Sequence, residues 1–528
     1  MKCSVCGTSN NAHYLFCIEC GTKLTPIESS LVKINGTIFS SSQYPYIVKK
    51  KASINYKVLG IGIIIMVIVT IGGIYLFGTW LSNAFNYKID MDEVKQILTD
   101  SQGNIIILGA TNSLDFPSTF NDTRKNDSYW YPWDQDAYIT KFSPEGNLLW
   151  SRIIGGSGLD ICYDGAIDTQ NNIIIKGYTD SEEFPVTGER SNREYGNIFL
   201  LKLAKNGTLI WSNTYPSESY YEDSGGITTD SQGNIIITGS IYGNESYPNA
   251  MYNILNPFSE NVLIIKLTTN GSRIWTYIIG GNRDEFGRSV EVDKADNIII
   301  SGETRSIDFP TIGTNSYYNQ TGYNSIFLLK IYHNAEIKWS CLIGGGNFDI
   351  LNDLIVDNEN IFIAGKTYSP DFPIINVSIQ VIQEYLNGFI IKYSHDGALL
   401  WSSCFETDYC QRFTLNGNQN IIGIGYDIDD NFQQDCALWI FSKIDATFSH
   451  KITFGGKSDD RGIAIIPYSD DRLLLAGQTF SKDFPLVDAY DSTLAGEEDI
   501  FALIYDLDSG IQWATLLGGS GQEYTWFW

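Results

Sequence analysis

The side chains best suited to chemistry in this chain are four cysteines near its N-terminus. They form two pairs, Cys3-Ser-Val-Cys6 and Cys17-Ile-Glu-Cys20, and a glycine follows each pair. In a C-x-x-C pair the second thiolate folds back over a tight turn onto the same ion, and two pairs supply the four soft ligands that tetrahedral zinc prefers. The sequence therefore predicts a structural zinc site with Cys3, Cys6, Cys17 and Cys20 as ligands. Two disulfides or a redox C-x-x-C pair are the alternatives.

A second set of candidate ligands consists of carboxylates that recur after a Gly-Gly step. Each acid lies four residues beyond the second glycine, and the glycine/acid pairs are Gly156/Asp160, Gly281/Glu285, Gly345/Asp349, Gly456/Asp460 and Gly519/Glu523. Oxygen ligands repeated around one opening would suit calcium or another hard cation. The alternative, which the sequence favours, is that these acids cap turns on an acidic, solvated surface.

Aromatic side chains are concentrated in segments that are predicted to be loops. One loop carries Tyr129, Trp130, Tyr131 and Trp133, and other loops contribute Tyr247, Tyr252, Tyr317, Tyr318 and Tyr323. Exposed rings at loop tips are suited to stacking on sugars or to anchoring a protein partner. The alternative is that the rings pack each loop onto the sheet below it. We take Tyr129, Trp130, Tyr131 and Trp133 as the candidate ligand-binding residues.

No catalytic set is recognisable. The four histidines, His13, His333, His395 and His450, are scattered along the chain, which leaves little room for histidine-based catalysis. A pair of carboxylates that cleaves glycosides stays open, because the spacing of acids in the folded chain is invisible in the sequence. We therefore expect no enzymatic activity, with a glycan hydrolase as the alternative.

The composition of the 528 residues fits a folded, globular body. Hydrophobic residues make up 43% of the chain and charged residues 18%, and the 49 glycines favour short strands and turns over long helices. The net charge is −26, and the excess of acids lies beyond residue 90. Such a body repels phosphate backbones, so we expect no nucleic-acid partner.

One segment is apolar enough to cross a membrane. Residues 58–78 carry no charge, and at helical rise they span about 30 Å, the thickness of the hydrocarbon layer. The lysines 49–51 and Lys57 precede this run, whereas Asp90, Asp92 and Glu93 follow it. The positive-inside bias therefore predicts a cytoplasmic N-terminus and an extracellular remainder. A cleaved signal peptide is disfavoured, because the run starts far from the N-terminus and exceeds a typical signal core.

Beyond residue 90 a unit of about sixty residues repeats seven times. A glycine lies five residues beyond an Asn or Arg that opens an apolar run, and these pairs are Asn104/Gly109, Asn172/Gly177, Asn234/Gly239, Asn297/Gly302, Asn360/Gly365, Asn420/Gly425 and Arg472/Gly477. Six units carry a tryptophan near their end, namely Trp150, Trp211, Trp275, Trp339, Trp401 and Trp513. Each unit contains four short β-prone runs separated by turn residues. The period and the strand count predict a seven-bladed β-propeller of four-stranded antiparallel blades.

Strand alternation predicts which connections share a face of the ring. The links between blades and the loops between the second and third strands are expected on one side. Each blade is expected to be self-contained, with no strand exchanged where the ring closes. Lysines recur at one strand position, Lys141, Lys202, Lys266, Lys330 and Lys392, and we expect them to pair within their blades.

The repeat units resemble the seven-bladed β-propeller (SBBP) repeat family. The pattern combines the Gly-Asn-apolar-Gly run, an apolar strand that ends in Lys, a closing Gly-Gly and the motif Asp-Phe-Pro, which starts at Asp115, Asp308, Asp371 and Asp483. Units three and six lack Asp-Phe-Pro, units two and five lack the closing Gly-Gly, and unit six also lacks the tryptophan. The resemblance covers residues 91–519 and implies a fold and little chemistry. Residues 1–24 resemble the short zinc ribbons at the N-termini of many archaeal and bacterial membrane proteins.

The predicted order is therefore a zinc ribbon (1–24), a linker with a basic juxtamembrane segment (25–57), a transmembrane helix (58–80), a short linker (81–90) and a mainly β propeller (91–528). We expect a single-pass protein of the cell membrane whose extracellular propeller binds a protein or polysaccharide. Zinc is structural in the cytoplasmic ribbon, which offers a site for a cytoplasmic protein partner. A glycan hydrolase that uses loop-face carboxylates and a purely structural envelope spacer are the alternatives.

Overall fold

The computed structural model describes residues 92–524, apart from short gaps, and three short strands nearer the N-terminus. The gaps are residues 121–134, 192–195, 217–224, 243–249, 254–255, 257, 315, 319–322, 376–386, 407–408, 418–419, 430–431, 470 and 521. The chain forms two compact units, Met1–Leu81 and Ser82–Trp528. In the first unit β1 (Lys33–Ile34) and β2 (Thr37–Ile38) pair as an antiparallel hairpin.

The predicted zinc ribbon (1–24) and the predicted transmembrane helix (58–80) lie outside the described residues. Within the part of the chain that is described, no helix has the length and hydropathy needed to span a membrane. The strand β3 (Tyr87–Ile89) precedes the repeats of the second unit.

The second unit contains seven sheets, one for each predicted blade, and in six of them the strands are antiparallel and in sequence order. Blade 1 contains β4 (Glu93–Thr99), β5 (Ile105–Thr111), β6 (Asp136–Phe142) and β7 (Leu148–Ile154), and blade 2 contains β8 (Asp160–Ile167), β9 (Ile173–Thr179), β10 (Asn197–Leu203) and β11 (Leu209–Pro216). Blade 3 contains β12 (Ile227–Thr229), β13 (Ile235–Tyr242), β14 (Met251–Asn253), β15 (Glu260–Leu267) and β16 (Arg273–Ile279). Here β14 is an additional strand that lies parallel to the outermost strand, β16.

The remaining blades follow the same plan. Blade 4 contains β17 (Glu285–Val292), β18 (Ile298–Thr304), β19 (Ser325–Ile331) and β20 (Ile337–Ile343), and blade 5 contains β21 (Asp349–Val356), β22 (Asn360–Thr367), β23 (Asn387–Ser394) and β24 (Leu399–Phe405). Blade 6 contains β25 (Cys410–Asn416), β26 (Asn420–Ile428), β27 (Gln434–Ser442) and β28 (Phe448–Phe454), and blade 7 contains β29 (Asp460–Pro467), β30 (Arg472–Thr479), β31 (Asp499–Asp506) and β32 (Gly510–Leu517). The predicted seven-bladed propeller is confirmed, and unit six forms a complete four-stranded blade.

The second strand of each blade contains a continuous apolar run because both faces of the sheet are covered there. In β5 and β9 every residue is buried. Ile106 and Leu108 of blade 1 pack in one cluster with Ile173 and Phe199 of blade 2, so the core lies between neighbouring blades. A continuous apolar run without alternation is typical of such a doubly covered strand.

The ring closes without strand exchange, as predicted. Ile105 and Tyr138 of blade 1 share a core cluster with Leu474 and Trp513 of blade 7. A short final strand, β33 (Gln522–Tyr524), pairs antiparallel with β3 and adds a second connection between the two ends of the second unit. The sequence did not predict this pairing.

The recurring lysines hold the hairpins between the third and fourth strands. Lys202 Nζ lies 2.8 Å from Asp168 Oδ2 of its own blade, and it also donates to the Thr269 carbonyl of blade 3 at 3.0 Å. Trp211 Nε1 donates to the same carbonyl at 3.3 Å. One lysine and one tryptophan thus bind a single carbonyl of the next blade.

The predicted pairing within blades is confirmed for four of these lysines. The buried ion pairs are Lys141–Asp100, Lys202–Asp168, Lys266–Asp230 and Lys330–Asp293, with nitrogen–oxygen distances of 2.8–2.9 Å. Lys392 differs, because Asp357 pairs with Lys443 and the Lys392 ammonium donates to the Lys443 carbonyl at 3.2 Å. These contacts lie at the hairpin face, opposite the links between blades, and they are structural.

Candidate functional site

The loop face is the side of the ring that carries the links between blades and the loops between second and third strands. Hydrogen bonds join the two kinds of connection, for example from Gly158 N to Ser181 Oγ at 2.8 Å and from Gly346 N to Asp371 Oδ1 at 2.7 Å. The prediction that these connections share one face is confirmed. The opposite face carries the short hairpins between third and fourth strands.

The Asp-Phe-Pro motif fastens the loops of this face to the blades. Its aspartate accepts a hydrogen bond from the preceding link, as Asp308 does from Asn282 N at 3.0 Å. Its phenylalanine stacks on a ring of the third strand, as Phe309 does on Phe327 at 4.9 Å. Its proline carbonyl accepts from a hydroxyl of the outermost strand, as Pro310 does from Ser340 Oγ at 2.6 Å. The motif therefore anchors its loop at three points.

Four of the five predicted cation ligands cap the links between blades. Each buried carboxylate accepts a hydrogen bond from the backbone of its Gly-Gly step, and the pairs are Gly156–Asp160 at 2.9 Å, Gly281–Glu285 at 3.0 Å, Gly345–Asp349 at 2.8 Å and Gly456–Asp460 at 2.6 Å. A serine or threonine hydroxyl at the end of the second strand, or in the loop that follows it, also donates to each of them. These contacts are the ones that the turn-cap interpretation predicts, and they place the acids one per link, apart from each other.

The fifth predicted ligand, Glu523, lies in β33, and its side chain is outside the described part of the structure. At the last link Gly519 N donates to Asp92 Oδ2 at 2.8 Å, and Ser520 N donates to Asp115 Oδ1 at 2.6 Å. Asp92 lies directly before the first strand of blade 1, and Asp160 is the first residue of blade 2, so the two acids occupy corresponding positions. The cap of the final link thus comes from the other end of the propeller, because the ring places the first blade where an eighth would begin.

The capping carboxylates have raised pKa values. Burial is the main cause, and it raises the pKa of Glu285 to about 7 and that of Asp349 to about 6. The hydroxyl and amide donors lower these values but do not outweigh burial. The pKa of Asp160 is also raised well above the usual value by burial. Protonated or partly protonated carboxyls are poor calcium ligands. Calcium binding at these positions stays a prediction.

The aromatic candidates are only partly placed. Tyr129, Trp130, Tyr131 and Trp133 fall in residues 121–134, outside the described residues. Of the other loop tyrosines, Tyr317 is partly buried against the apolar cluster between blades 4 and 5, and Tyr318 against the cluster between blades 3 and 4. Tyr323 is 48% exposed and contacts the exposed Phe348 with the ring centroids 5.0 Å apart. Among the described loop rings, Tyr317 and Tyr318 therefore pack onto the blades, whereas Tyr323 and Phe348 form an exposed pair.

The innermost strands bulge at the channel, and the bulge residues differ from blade to blade. Pairing with the second strand skips one residue in six blades, and the skipped residues are Lys95, Tyr163, Arg288, Asn352, Gln411 and Ile463. A bulge locally bends the strand and redirects side chains. The chemistry of the bulge position therefore differs from blade to blade.

Blades 6, 7 and 1 enclose a cavity of about 450 Å³ at the loop-face end of the channel. Its lining includes the bulge residues Lys95, Gln411 and Ile463, together with Arg412 and Arg461. Lys95 pairs with Glu93, which also lines the cavity. The cavity therefore gathers three cations and one carboxylate in a chain whose net charge is −26.

The arginines of this cavity are held by their neighbours. Arg461 stacks between Tyr426 and Phe480, whose ring centroids lie 5.7 and 5.8 Å from its guanidinium carbon. Arg412 Nη1 donates to the Asn352 carbonyl at 3.3 Å and lies 3.9 Å from Asp353 Oδ1. Fixed guanidinium groups bind carboxylate or sulfate with a low ordering cost.

Carboxylates on blades 2, 4 and 5 interact across the channel. Burial, with the charges of Asp164 and Asp353 in addition, raises the pKa of Glu291 to about 8. Asp164 is held as a hydrogen-bond acceptor, since Gln96 Nε2 and Ile227 N donate to it at 3.0 Å each. Glu291 is thus protonated at neutral pH beside carboxylates that accept several donors.

Sequence reasoning missed the channel residues, because the strand pattern alone does not show which residue of a bulge faces the axis. No repeat pattern marks these positions, because their residue types differ from blade to blade. Among the described residues no group of three or more His, Cys, Asp or Glu side chains is arranged to hold a metal ion. The zinc ligands Cys3, Cys6, Cys17 and Cys20 lie outside those residues, so the zinc site stays a prediction.

Comparison with known proteins gives a distant relative. The chain is 22% identical over 366 residues to an uncharacterized WD repeat-containing protein, L264, of Acanthamoeba polyphaga mimivirus, and the match covers 55% of this chain and 26% of the viral protein. The chain thus matches about a quarter of that protein's length. No family model matches the chain.

Solved structures with similarity to the chain include the β-propeller domain of the Trilobed protease from Pyrococcus furiosus, with a TM-score of 0.40, 9% identity and coverage of 80% of this chain and 96% of that one. The apocarotenoid oxygenase of Synechocystis gives a TM-score of 0.39 at 10% identity, covering 84% and 96% of the two chains. A polysaccharide lyase, PL25 ulvan lyase, gives 0.40 at 11% identity, covering 81% and 92%. The conclusion that this chain is a seven-bladed β-propeller therefore rests on its own strand topology.

Proposed function

We propose that the propeller is a non-catalytic binding module that holds an anionic polysaccharide or an envelope protein on its loop face. The observation that carries the proposal is the cavity between blades 6, 7 and 1, where Lys95, Arg412 and Arg461 converge. Repeated positions such as the Asp-Phe-Pro motif are occupied by structural contacts, whereas the positions of these three residues carry different residue types in the other blades. A rigid ring holds them in a fixed relation, which lowers the ordering cost of recognition.

The binding surface extends beyond the cavity in this proposal. The ligand presents a carboxylate or sulfate to Arg412 and Arg461, while Trp130 and Trp133 stack on neighbouring sugar rings or anchor a partner's side chain. The propeller is held outside the cell by the helix at residues 58–80. The zinc ribbon lies in the cytoplasm, where it contacts a protein partner.

Binding of the full-length protein in detergent to glycan arrays and to envelope proteins tests the proposal. We expect Arg412→Gln plus Arg461→Gln to weaken binding about tenfold or more, since each charged hydrogen bond contributes about 1.5–3 kcal/mol. Trp130→Ala plus Trp133→Ala is expected to weaken binding of the same ligand. Arg273→Gln is the matched control. Arg273 lies on the outermost strand β16, where it pairs with Glu189, and it does not line the cavity.

Binding that ignores both double variants would remove the proposed site. If no glycan or envelope protein binds at all, a structural envelope spacer becomes the better description. The proposed topology has its own test: protease added to intact cells should remove the propeller and spare the ribbon. Loss of the ribbon with retention of the propeller would contradict the orientation.

A glycan hydrolase is the second candidate, and the paired channel carboxylates favour it. Burial raises the pKa of Glu291 to about 8, and a carboxylic acid near other carboxylates, here Asp164 and Asp353, is the kind of group that a glycosidase uses as its acid. Turnover of a glycan that Glu291→Gln abolishes while binding persists would establish the hydrolase. Binding without turnover, unchanged in Glu291→Gln, would support the binding module.

A further inference from the structure

The outer edges of most blades are covered by the chain itself. In five blades the loop between the second and third strands contains a Phe-Pro step. The backbone of the second residue after its proline pairs with the backbone of the outermost strand, at the residue that follows the tryptophan. These pairs are Thr119–Ser151, Thr187–Ser212, Ile312–Ser340, Ile375–Ser402 and Val487–Ala514. In blade 3 the strand β14 takes this place beside β16. All five pairing residues from the loops are Thr, Ile or Val, which are β-branched.

Blade 6 has no such cover among the described residues. Its connection between second and third strands spans only residues 429–433 and contains no Phe-Pro step. Every side chain of β28 is exposed or half-buried, whereas the equivalent β24 of blade 5 is buried from Trp401 onward. In the described part of the chain no segment pairs with the outer edge of β28. An uncovered edge presents unpaired N–H and C=O groups to any extended chain.

The register identifies which groups of β28 face outward. His450 pairs with Ile440 at the bulge of the third strand, as Trp339 pairs with Lys330 in blade 4. Lys451 therefore corresponds to Ser340, whose N–H and C=O both pair with Ile312, at 2.8 and 3.1 Å. By this equivalence the backbone of Lys451 lies at the open edge. The same alignment places Thr453 two residues further along that edge.

The side chains around this edge differ from those of the covered blades. Lys451 replaces the serine, threonine or alanine of the other blades, and its ammonium pairs with Asp427. Phe448 is 48% exposed, and Ile444 in the adjacent hairpin is 69% exposed. The edge thus combines apolar surface with one cation.

We propose that the outer edge of β28 is a strand-addition site for an extended segment of a partner protein, with a β-branched residue opposite Lys451 and a carboxylate that reaches its ammonium. The five internal covers show the kind of segment that such an edge takes. A second copy of this chain fits less well, because a lysine on an edge strand and a net charge of −26 both oppose self-association. The site lies at the circumference, and the inference does not depend on the proposed loop-face function.

A peptide with the sequence of residues 482–491, the cover of blade 7, is the probe. We expect it to bind the full-length protein saturably and to slow hydrogen exchange of the Lys451 and Thr453 amides about tenfold or more. The same peptide with Val487→Pro lacks the N–H that pairs with the edge, and it should not bind. Arg412→Gln plus Arg461→Gln in the protein should leave peptide binding unchanged, which separates this site from the loop face.

Two variants at one position distinguish backbone pairing from the side chain. Lys451→Pro removes an outward N–H and is tolerated on an edge strand, so its melting temperature should stay close to that of the parent while peptide binding is lost. Lys451→Ser restores the residue of the covered blades and should keep binding with a severalfold lower affinity. Equal peptide binding by Lys451→Pro and the parent would overturn the proposal. So would protection of the Lys451 amide in the free protein equal to that of Ser340, or a dimer that Lys451→Pro dissociates.

Discussion

Buried carboxylates occur at both faces of the ring, and their surroundings shift their pKa values in opposite directions. At the hairpin face burial opposes ionisation, but hydrogen bonds from Asn297 and Lys330 hold the pKa of Asp293 at about 2. At the loop face only neutral donors surround Glu285, so burial prevails and its pKa is about 7. Buried carboxylates thus act as ion-pair partners at the hairpin face and as turn caps at the loop face.

These shifts predict how stability depends on pH. Glu285 binds its proton more tightly in the folded state (about 7) than in the unfolded chain (4.5), so its contribution is full below pH 4.5 and is lost as the pH rises to 7. Asp293 contributes above pH 3.8, and that contribution is lost as the pH falls toward 2. We expect Glu285→Gln to reduce the decline of the unfolding free energy between pH 5 and 7, by up to about 1.4 kcal/mol per pH unit.

Urea unfolding at several pH values measures this slope. Glu336→Gln is the control, because Glu336 is exposed in a hairpin on the other face. An unchanged slope in Glu285→Gln would show that this cap does not hold a proton in the folded protein.

The zinc prediction also belongs to single residues. A full-length protein with four thiolate ligands should carry one zinc ion, and Cys3→Ser should lower the zinc content and affinity because one of four ligands is lost. Cys341→Ser is the control, since Cys341 is a buried free thiol of blade 4. Metal analysis after purification provides the readout. Unaltered zinc content and affinity in Cys3→Ser would contradict the assignment.

At the scale of elements, each hairpin between third and fourth strands is held by its neighbour. The Lys330 ammonium pairs with Asp293 and also donates to the His395 carbonyl of the next blade at 3.1 Å, and Trp339 Nε1 donates to that same carbonyl at 3.1 Å. Because one carbonyl takes both donors, the ion pair and the hairpin of the next blade depend on each other.

Removal of the lysine should therefore be costly. In Lys330→Met the carboxylate of Asp293 stays buried without its cation, and we expect a loss of about 3–5 kcal/mol in unfolding free energy. Lys338→Met is the matched control in the same blade: Lys338 lies 3.5 Å from Asp396, whose side chain is 90% exposed, and its loss should cost about 1 kcal/mol or less. Equal costs in denaturant unfolding would mean that the buried pair is not stabilising.

At the scale of the whole molecule, the ring is closed by contacts between its two ends. Asp92 Oδ2 accepts from Gly519 N at 2.8 Å and from Ser113 Oγ at 2.9 Å. Asp349 caps the link between blades 4 and 5 in the same way, with Gly345 N at 2.8 Å. The local hydrogen bonds of these two carboxylates match, but Asp92, unlike Asp349, joins residues from opposite ends of the propeller.

This difference gives a prediction about closure. Asp92→Ala and Asp349→Ala should each destabilise the protein by about 1–3 kcal/mol, because buried amide and hydroxyl donors lose their acceptor. Only Asp92→Ala should speed hydrogen exchange in β32, since the end of blade 7 then loses one of its contacts with the start of the propeller. The same exchange pattern in both variants would show that closure does not depend on this cap.

The sequence by itself determined the seven blades, the four strands in each, the shared loop face and the self-contained first and last blades. These features follow from local patterns, since the Asn-to-Gly spacing, the apolar runs and the Gly-containing turns are complete within one unit. The pairing of lysines within blades was also predictable, because a charge that recurs on a buried strand needs a partner nearby.

Only the tertiary structure decided which side chains surround the channel and which edges stay open. Asp92 caps the last link, because a closed ring brings together two residues 427 positions apart. Lys95, Arg412 and Arg461 meet for the same reason, as they come from three different blades. The sequence shows that unit six lacks the Phe-Pro step. Only the structure of the other blades shows that the segment after this step covers the outer edge, and therefore that the edge of β28 is left open.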